Sequence, residues 1–198
     1  MTDLKSLDAA LKNFADAFGA SRENFGTIEY HAFEPVVEPI PLGAVLKDYF
    51  GTLRMSGTPQ VGGELMLDLF TLDNVATAQH GWRWIRKRGG PVVEDPTWNK
   101  HWIVIADRNG DAIVVDDSTA SGVVSGHVGP RNFKIAGDLA GFFQVMAEAM
   151  TVEANTFDYE VLDEDFSQTT AFLNAVSAIA LRVLGPEGEA GFMDFFFG

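Results

Sequence analysis

Trp102-Ile103-Val104-Ile105-Ala106-Asp107-Arg108-Asn109-Gly110-Asp111-Ala112-Ile113-Val114-Val115-Asp116 decides the fold, because two β-branched runs flank an Asn-Gly pair. Asn and Gly accept the positive φ angles that a tight hairpin turn demands, so the stretch predicts two antiparallel strands joined by a short turn. The next apolar run, Gly122 to Val128, predicts a further strand beside them. Upstream, Leu65, Leu67 and Leu69 alternate, which places them on one side of a strand, and Asp73 to Gln79 reads as a short helix after it.

Helical patterns bracket this β-rich centre. Leu4, Leu7, Leu11, Phe14 and Phe18 recur at spacings of three and four, and Gly19 stands where such a helix ends. Residues 20–41 show no period and contain Pro35, Pro39 and Pro41, which reads as a surface connector. A second helix is expected from Leu42 to Leu53, with Val45, Leu46, Tyr49 and Leu53 on one face and Ser56-Gly57-Thr58-Pro59 as its stop. A third begins after Asp138 as N-cap, with Leu139, Phe142, Phe143, Met146 and Met150 in register. An acidic stretch, 153–165, leads to a fourth helix capped by Ser167, striped by Phe172, Leu173, Val176, Ile179, Ala180 and Val183, and stopped by Gly185-Pro186.

Helices, then strands, then helices predict the α+β class: an antiparallel sheet of about four to six strands flanked by N-terminal and C-terminal helices. The expected organisation is an N-terminal helix and connector over 1–30 and an α+β domain over 31–152. Residues 153–198 then form an acidic linker, a C-terminal helix and an apolar tail packed on the same domain. In that tail, Phe192, Met193, Phe195, Phe196 and Phe197 cannot all face water, so it docks on its own domain or joins a second copy in a homo-oligomer.

Composition narrows the function. The 198 residues are 46% apolar and 21% charged, an ordinary globular balance, and folding at this length buries enough surface to need no metal or disulfide. Cysteine is absent, which excludes thiolate metal sites and catalytic thiols. A net charge of −14 repels phosphate backbones and anionic lipid, so neither nucleic acid nor a membrane is an expected partner. After Lys134 the only base is Arg182 against a run of carboxylates, a surface that steers a cationic protein inward or serves solubility. Met1-Thr2-Asp3-Leu4-Lys5 lacks the basic start and apolar run of a signal peptide, and a cytoplasmic location is expected.

Catalytic motifs are missing where short spacings would show them: no Walker loop, dinucleotide glycine fingerprint, HExxH or nucleophile elbow occurs. His31, His80, His101 and His127 include no pair three or four apart, so no metal is expected, although distant histidines could still converge on one. Asp107, Asn109 and Asp111 imitate the start of a calcium loop, but the twelfth position is Ser118 rather than Glu. Trp82 to Arg88 holds two Trp and four bases; it reads as a Trp packed inward with bases in solvent or paired to the protein's own acids, the alternative being phosphate contact. Asp116 and Asp117 are neighbours whose side chains leave a strand on opposite faces. No catalytic or cofactor residue is expected; a hydrolase using Asp116, Asp117 or His127 is the enzymatic alternative.

The string from Trp102 to Met150 resembles the SUKH superfamily of bacterial immunity proteins and fungal cell-wall-assembly regulators. Members show Trp-aliphatic-x-Ile-Ala, a turn with Gly-Asp, aliphatics ending in Asp, then Gly-x-Val, then Ile-Ala and a helix opening on Asp. Here these positions read Trp102 to Ala106, Gly110-Asp111, Ile113 to Asp116, Gly122-Val123-Val124, and Ile135-Ala136 before Asp138, Leu139, Phe142 and Phe143. Upstream the match departs: the usual Leu-Pro entry is Pro41-Leu42, and a following glycine pair is the single Gly57. The resemblance implies an α+β fold and a binding function, commonly neutralisation of a toxin domain, often a nuclease, delivered by a competing cell. The excess of acid fits such a partner, since toxins acting on nucleic acid are usually basic.

The expected function is therefore a non-enzymatic immunity protein that binds a cognate, basic toxin domain. A regulatory adaptor or scaffold for cell-envelope or intracellular assembly is the alternative. Partner-binding candidates are loop residues around the hairpin: Glu94, Asp95, Asp107, Asp111 and Asp117 as steering carboxylates and Trp98 as an aromatic anchor.

Overall fold

The computed structural model describes residues 4–198, with side chains from Leu7 onward. Met1 to Asp3 and the side chains of Leu4 and Lys5, all used above, lie outside the described residues. Helix α1 spans Leu4–Ala20, α2 Ala44–Thr52, α3 Val75–Ala78, α4 Leu139–Phe157 and α5 Thr170–Phe197. The strands are β1 (Phe25–Tyr30), β2 (Leu53–Val61), β3 (Leu67–Leu69), β4 (Trp84–Arg86), β5 (Val92–Glu94), β6 (Trp102–Arg108), β7 (Asp111–Asp116), β8 (Val123–Val128) and β9 (Arg131–Ala136). Seven of them form one sheet in the order β1-β2-β3-β6-β7-β8-β9, every neighbouring pair antiparallel, while β4 and β5 pair separately. The protein is α+β with a helix at each end.

The β6–β7 hairpin turns at Asn109 and Gly110, whose φ angles are 54° and 91°. That is the double positive φ for which the Asn-Gly pair is suited. The sheet is wider than the four to six strands expected, because β1, β2 and β9 leave weak marks. β1 buries only Ile28, and its pairing to β2 carries a bulge between Phe25 and Thr27, so no alternation of apolar and polar residues develops. Ser56-Gly57-Thr58-Pro59 does not end a helix: it is the irregular middle of β2, which follows α2 without a loop.

One hydrophobic core joins the N-terminal helix, one face of the sheet, α4 and α5. Leu7, Leu11, Phe14 and Phe18 of α1 are buried there, and Phe143 of α4 lies 4.9 Å from Phe14 and 5.1 Å from Tyr49 of α2, ring centre to ring centre. Asp138 caps α4 as its sequence suggests, its carboxylate accepting from the Gly141 N–H at 2.7 Å. The helix runs further than the acidic stretch allows, so Glu153 falls in its last full turn and is buried.

Ser167 does not cap the last helix. It belongs to a turn in which its N–H and that of Asp165 donate to the Asp163 carboxylate, and Thr169 is the cap, accepting from Phe172. At Gly185 the backbone leaves helical geometry (φ 75°), and Pro186 starts a second helical segment, 186–197. Proline is well placed there, since the first turn of a helix has no use for its missing N–H. This segment lays the apolar tail on the sheet: Phe192, Phe195 and Phe196 are buried and Phe197 half-buried. Phe195 seats directly on Gly126 of β8, where any Cβ would overlap its ring. The Arg108 guanidinium closes the arrangement, donating to the carbonyls of Phe196 (2.7 Å) and Leu65 (3.1 Å).

Candidate functional site

Alternation along β6, β7 and β8 sends a second set of side chains to the face opposite the helices. Val104, Ala112 and Val114 are fully buried there beneath Phe70, Trp82, Trp98 and Trp102. The cover comes from the excursion between β3 and β6, which contains α3 and the β4–β5 hairpin. Its anchor is Gln79. β3 ends at Leu69, so Val104, which pairs with Val114 of β7 on one side, has no strand partner on the β3 side, and the Gln79 amide takes that place. The amide accepts from the Val104 N–H at 3.0 Å and donates to its carbonyl at 2.9 Å and to that of Val75 at 2.8 Å.

Beside this anchored segment lies an open cleft of about 460 Å³, walled by Trp82, Trp98, Trp102 and His127 with Asp95 and Asn132 at its margin. Trp98 and Trp102 meet edge to face at 5.4 Å, Trp82 stands 6.0 Å from Trp98, and His127 lies 4.9 Å from Trp102. The Trp98 indole donates to the Trp102 carbonyl at 3.2 Å, which fixes its ring. Burial lowers the His127 pKa, so its imidazole is neutral at pH 7; one ring nitrogen lies 3.3 Å from the Ser125 hydroxyl. Asp95 behaves oppositely. The N–H and hydroxyl of Thr97 donate to the same carboxylate oxygen, at 2.9 and 2.7 Å, and hold its pKa below the ordinary value.

The six expected partner-binding residues fall into separate places. Asp95 and Trp98 line the cleft, and Glu94 lies next to them in β5, paired to Arg83 at 2.7 Å. Asp107 and Asp111 flank the hairpin turn and do not line the cleft, although Asp107 stands in one cross-strand row with Ala112 and His127; Asp107 accepts from the Gly110 N–H at 2.8 Å, and Asp111 is opposite Arg108. Asp117 is half-buried at the start of α2, where one oxygen accepts from the Gly43 N–H and the other has no partner among the described residues. Burial raises its pKa, and it faces a second cleft shared with Arg83, Lys100 and His101.

The residues of the hydrolase alternative stay apart. Asp116 is committed to Ser118, accepting from its N–H at 3.0 Å and its hydroxyl at 2.6 Å, and pairs with Val123. His127 lies four residues beyond Val123 on β8, about 13 Å away. No group of three or more His, Asp or Glu is placed to hold a metal ion among the described residues, and no helix there is long and apolar enough to cross a membrane.

Of the residues that build the cleft, Gln79 escapes sequence reasoning, Trp82 reads there as packing with phosphate contact as the alternative, and Trp102 reads as a buried residue of the hairpin. One signal was available: all four tryptophans of the chain fall within 82–102. No protein-family model matches this chain, and no curated protein shows significant sequence similarity to it.

Proposed function

We propose that this protein acts by binding, as an immunity protein that neutralises a cognate toxin domain of basic character. The observation that carries the reading is the open Trp82–Trp98–Trp102 cleft with an ionised carboxylate at its margin. Aromatic rings in a fixed wall supply the buried anchor that dominates interface energetics, and the carboxylate excess supplies steering. The resemblance of Trp102 to Met150 to SUKH proteins points the same way. Positive charge on the partner follows from a chain with 28 acids and 14 bases.

Co-expression tests this. Reading frames beside the gene that encode toxin domains are induced in a sensitive host with and without the chain, and the purified domains are titrated against it. Growth protection together with a salt-sensitive complex is expected. Recovery of an endogenous assembly from the native host, with no protection against any neighbouring domain, would replace the immunity reading by the adaptor one.

A further inference from the structure

The cleft has a chemistry of its own that says which part of a basic partner it takes. Among the residues lining it, Asp95 is the one with an ordinary negative charge at neutral pH, and none is a Lys or Arg. Thr97 uses one Asp95 oxygen; the other makes no hydrogen bond among the described residues. Two nearby cations are engaged elsewhere, Arg83 held by Glu94 at 2.7 Å and Arg131 over Phe133 at 5.3 Å; exposed Lys87 is near enough to help lower the Asp95 pKa but makes no ion pair with it. His127 adds no positive charge, because burial keeps it neutral.

We infer that this cleft receives an arginine side chain of the partner, its guanidinium stacked on the tryptophan wall and donating to the free oxygen of Asp95. The inference rests on the binding function proposed above. Arginine fits better than lysine because a planar guanidinium stacks on indole while still presenting N–H groups in its plane, and because it sheds water more readily than an ammonium. A volume of about 460 Å³ takes such a side chain together with flanking backbone. A neutral sugar would stack on the tryptophans and donate a hydroxyl to Asp95, but would leave the negative charge of that carboxylate without a cation.

The test needs no toxin. The full chain is titrated with acetyl-Gly-Arg-Gly-amide, with the same peptide carrying citrulline in place of arginine, and with a methyl glucoside. The indole N–H signals and tryptophan fluorescence are followed in each titration. Citrulline keeps the shape and removes the charge. Saturable shifts of the Trp82, Trp98 and Trp102 signals by the arginine peptide are expected, with Kd on the order of 1 mM for so small a ligand. The citrulline peptide should bind at least about tenfold more weakly. Asp95→Asn, which can still accept from Thr97 and so keeps its loop, should weaken the arginine peptide by about five- to tenfold while the chain still unfolds in one cooperative transition.

Equal binding of the two peptides overturns the inference, as does absence of any shift with arginine or a response to the glucoside alone. Peptide binding without growth protection would remove the immunity function and keep the arginine site. Protection without peptide binding would do the reverse.

Discussion

Replacing Glu153 by glutamine is expected to stabilise the protein above pH 7, although it removes a charge that accepts a hydrogen bond. Glu153 is 3% exposed at the C-terminal end of α4 and accepts from the Glu64 N–H at 3.0 Å in the loop between β2 and β3. Burial pushes its pKa up to about 7, with Glu64 and Glu23 adding repulsion against that one hydrogen bond. In the unfolded chain the same carboxyl titrates near the ordinary 4.5. The folded state therefore binds a proton more tightly, and stability contributed at this site falls as pH rises from about 4.5 to about 7 and is level beyond. At 1.36 kcal/mol per unit the loss is at most roughly 3 kcal/mol, and screening by solvent on the side of Glu64 and Glu23 brings it to about 1–3 kcal/mol.

The substituted amide would have no charge to desolvate, and its side-chain oxygen can still accept from the Glu64 N–H. Urea denaturation of wild type and Glu153→Gln at pH 5 and pH 8 reads the difference directly. The two proteins should be close at pH 5, with the variant ahead by about 1–3 kcal/mol at pH 8. A variant less stable at pH 8, or a difference that does not change with pH, would show that the carboxylate is well accommodated in its charged form and refute the reasoning.

Gln79→Ala should cost about 2–5 kcal/mol, because it strands the N–H and carbonyl of Val104 away from water. Hydrogen exchange at Val104 should accelerate selectively, whereas a merely global loss would show that the amide is not what holds the cover on β6. Phe196→Ala opens a cavity between the tail and the sheet and should lower stability by about 3–5 kcal/mol, read by calorimetry as roughly 6–20 °C in Tm. An unchanged Tm would mean the tail contributes no core packing. Gly126→Val should dislodge Phe195 and expose 186–198 to limited proteolysis while the β6–β7 hairpin stays protected; equal protease resistance of tail and hairpin would contradict the seating of that ring.

The hairpin is readable because its information is local: two strands and a turn whose φ requirement is written in the residues at the turn. α1 and α4 are readable for a similar reason, each carrying a long stripe at helical spacing, and α4 a cap. β9 is not, because Arg131, Asn132 and Lys134 are exposed and Phe133 only half-buried, and its other neighbour is a helix that arrives more than fifty residues later. The break at Gly185-Pro186 is visible, but the same residues that end one helical segment open the next, and only the buried phenylalanines show that the chain resumes. The candidate site divides in the same way. Trp98 and Asp95 stand out as loop residues, yet the cleft exists only when β6 and β8 and the excursion before them meet, a meeting that no short window contains. Asp117 reads as a steering loop carboxylate, and one of its oxygens turns out to be taken by the Gly43 N–H at the start of α2.

The last helical segment does more than fill the core. β9 ends the sheet, and a terminal strand offers an unpaired row of N–H and carbonyl groups on which another chain can build. Gly191 rides so close on Lys134 of that strand that any side chain would collide with its carbonyl, so the helix sits where an added strand would have to come. A chain shortened before Gly191 would thus carry a second defect beside its lost stability: a naked margin open to copies of itself, with self-assembly into extended sheets as the consequence of losing the guard.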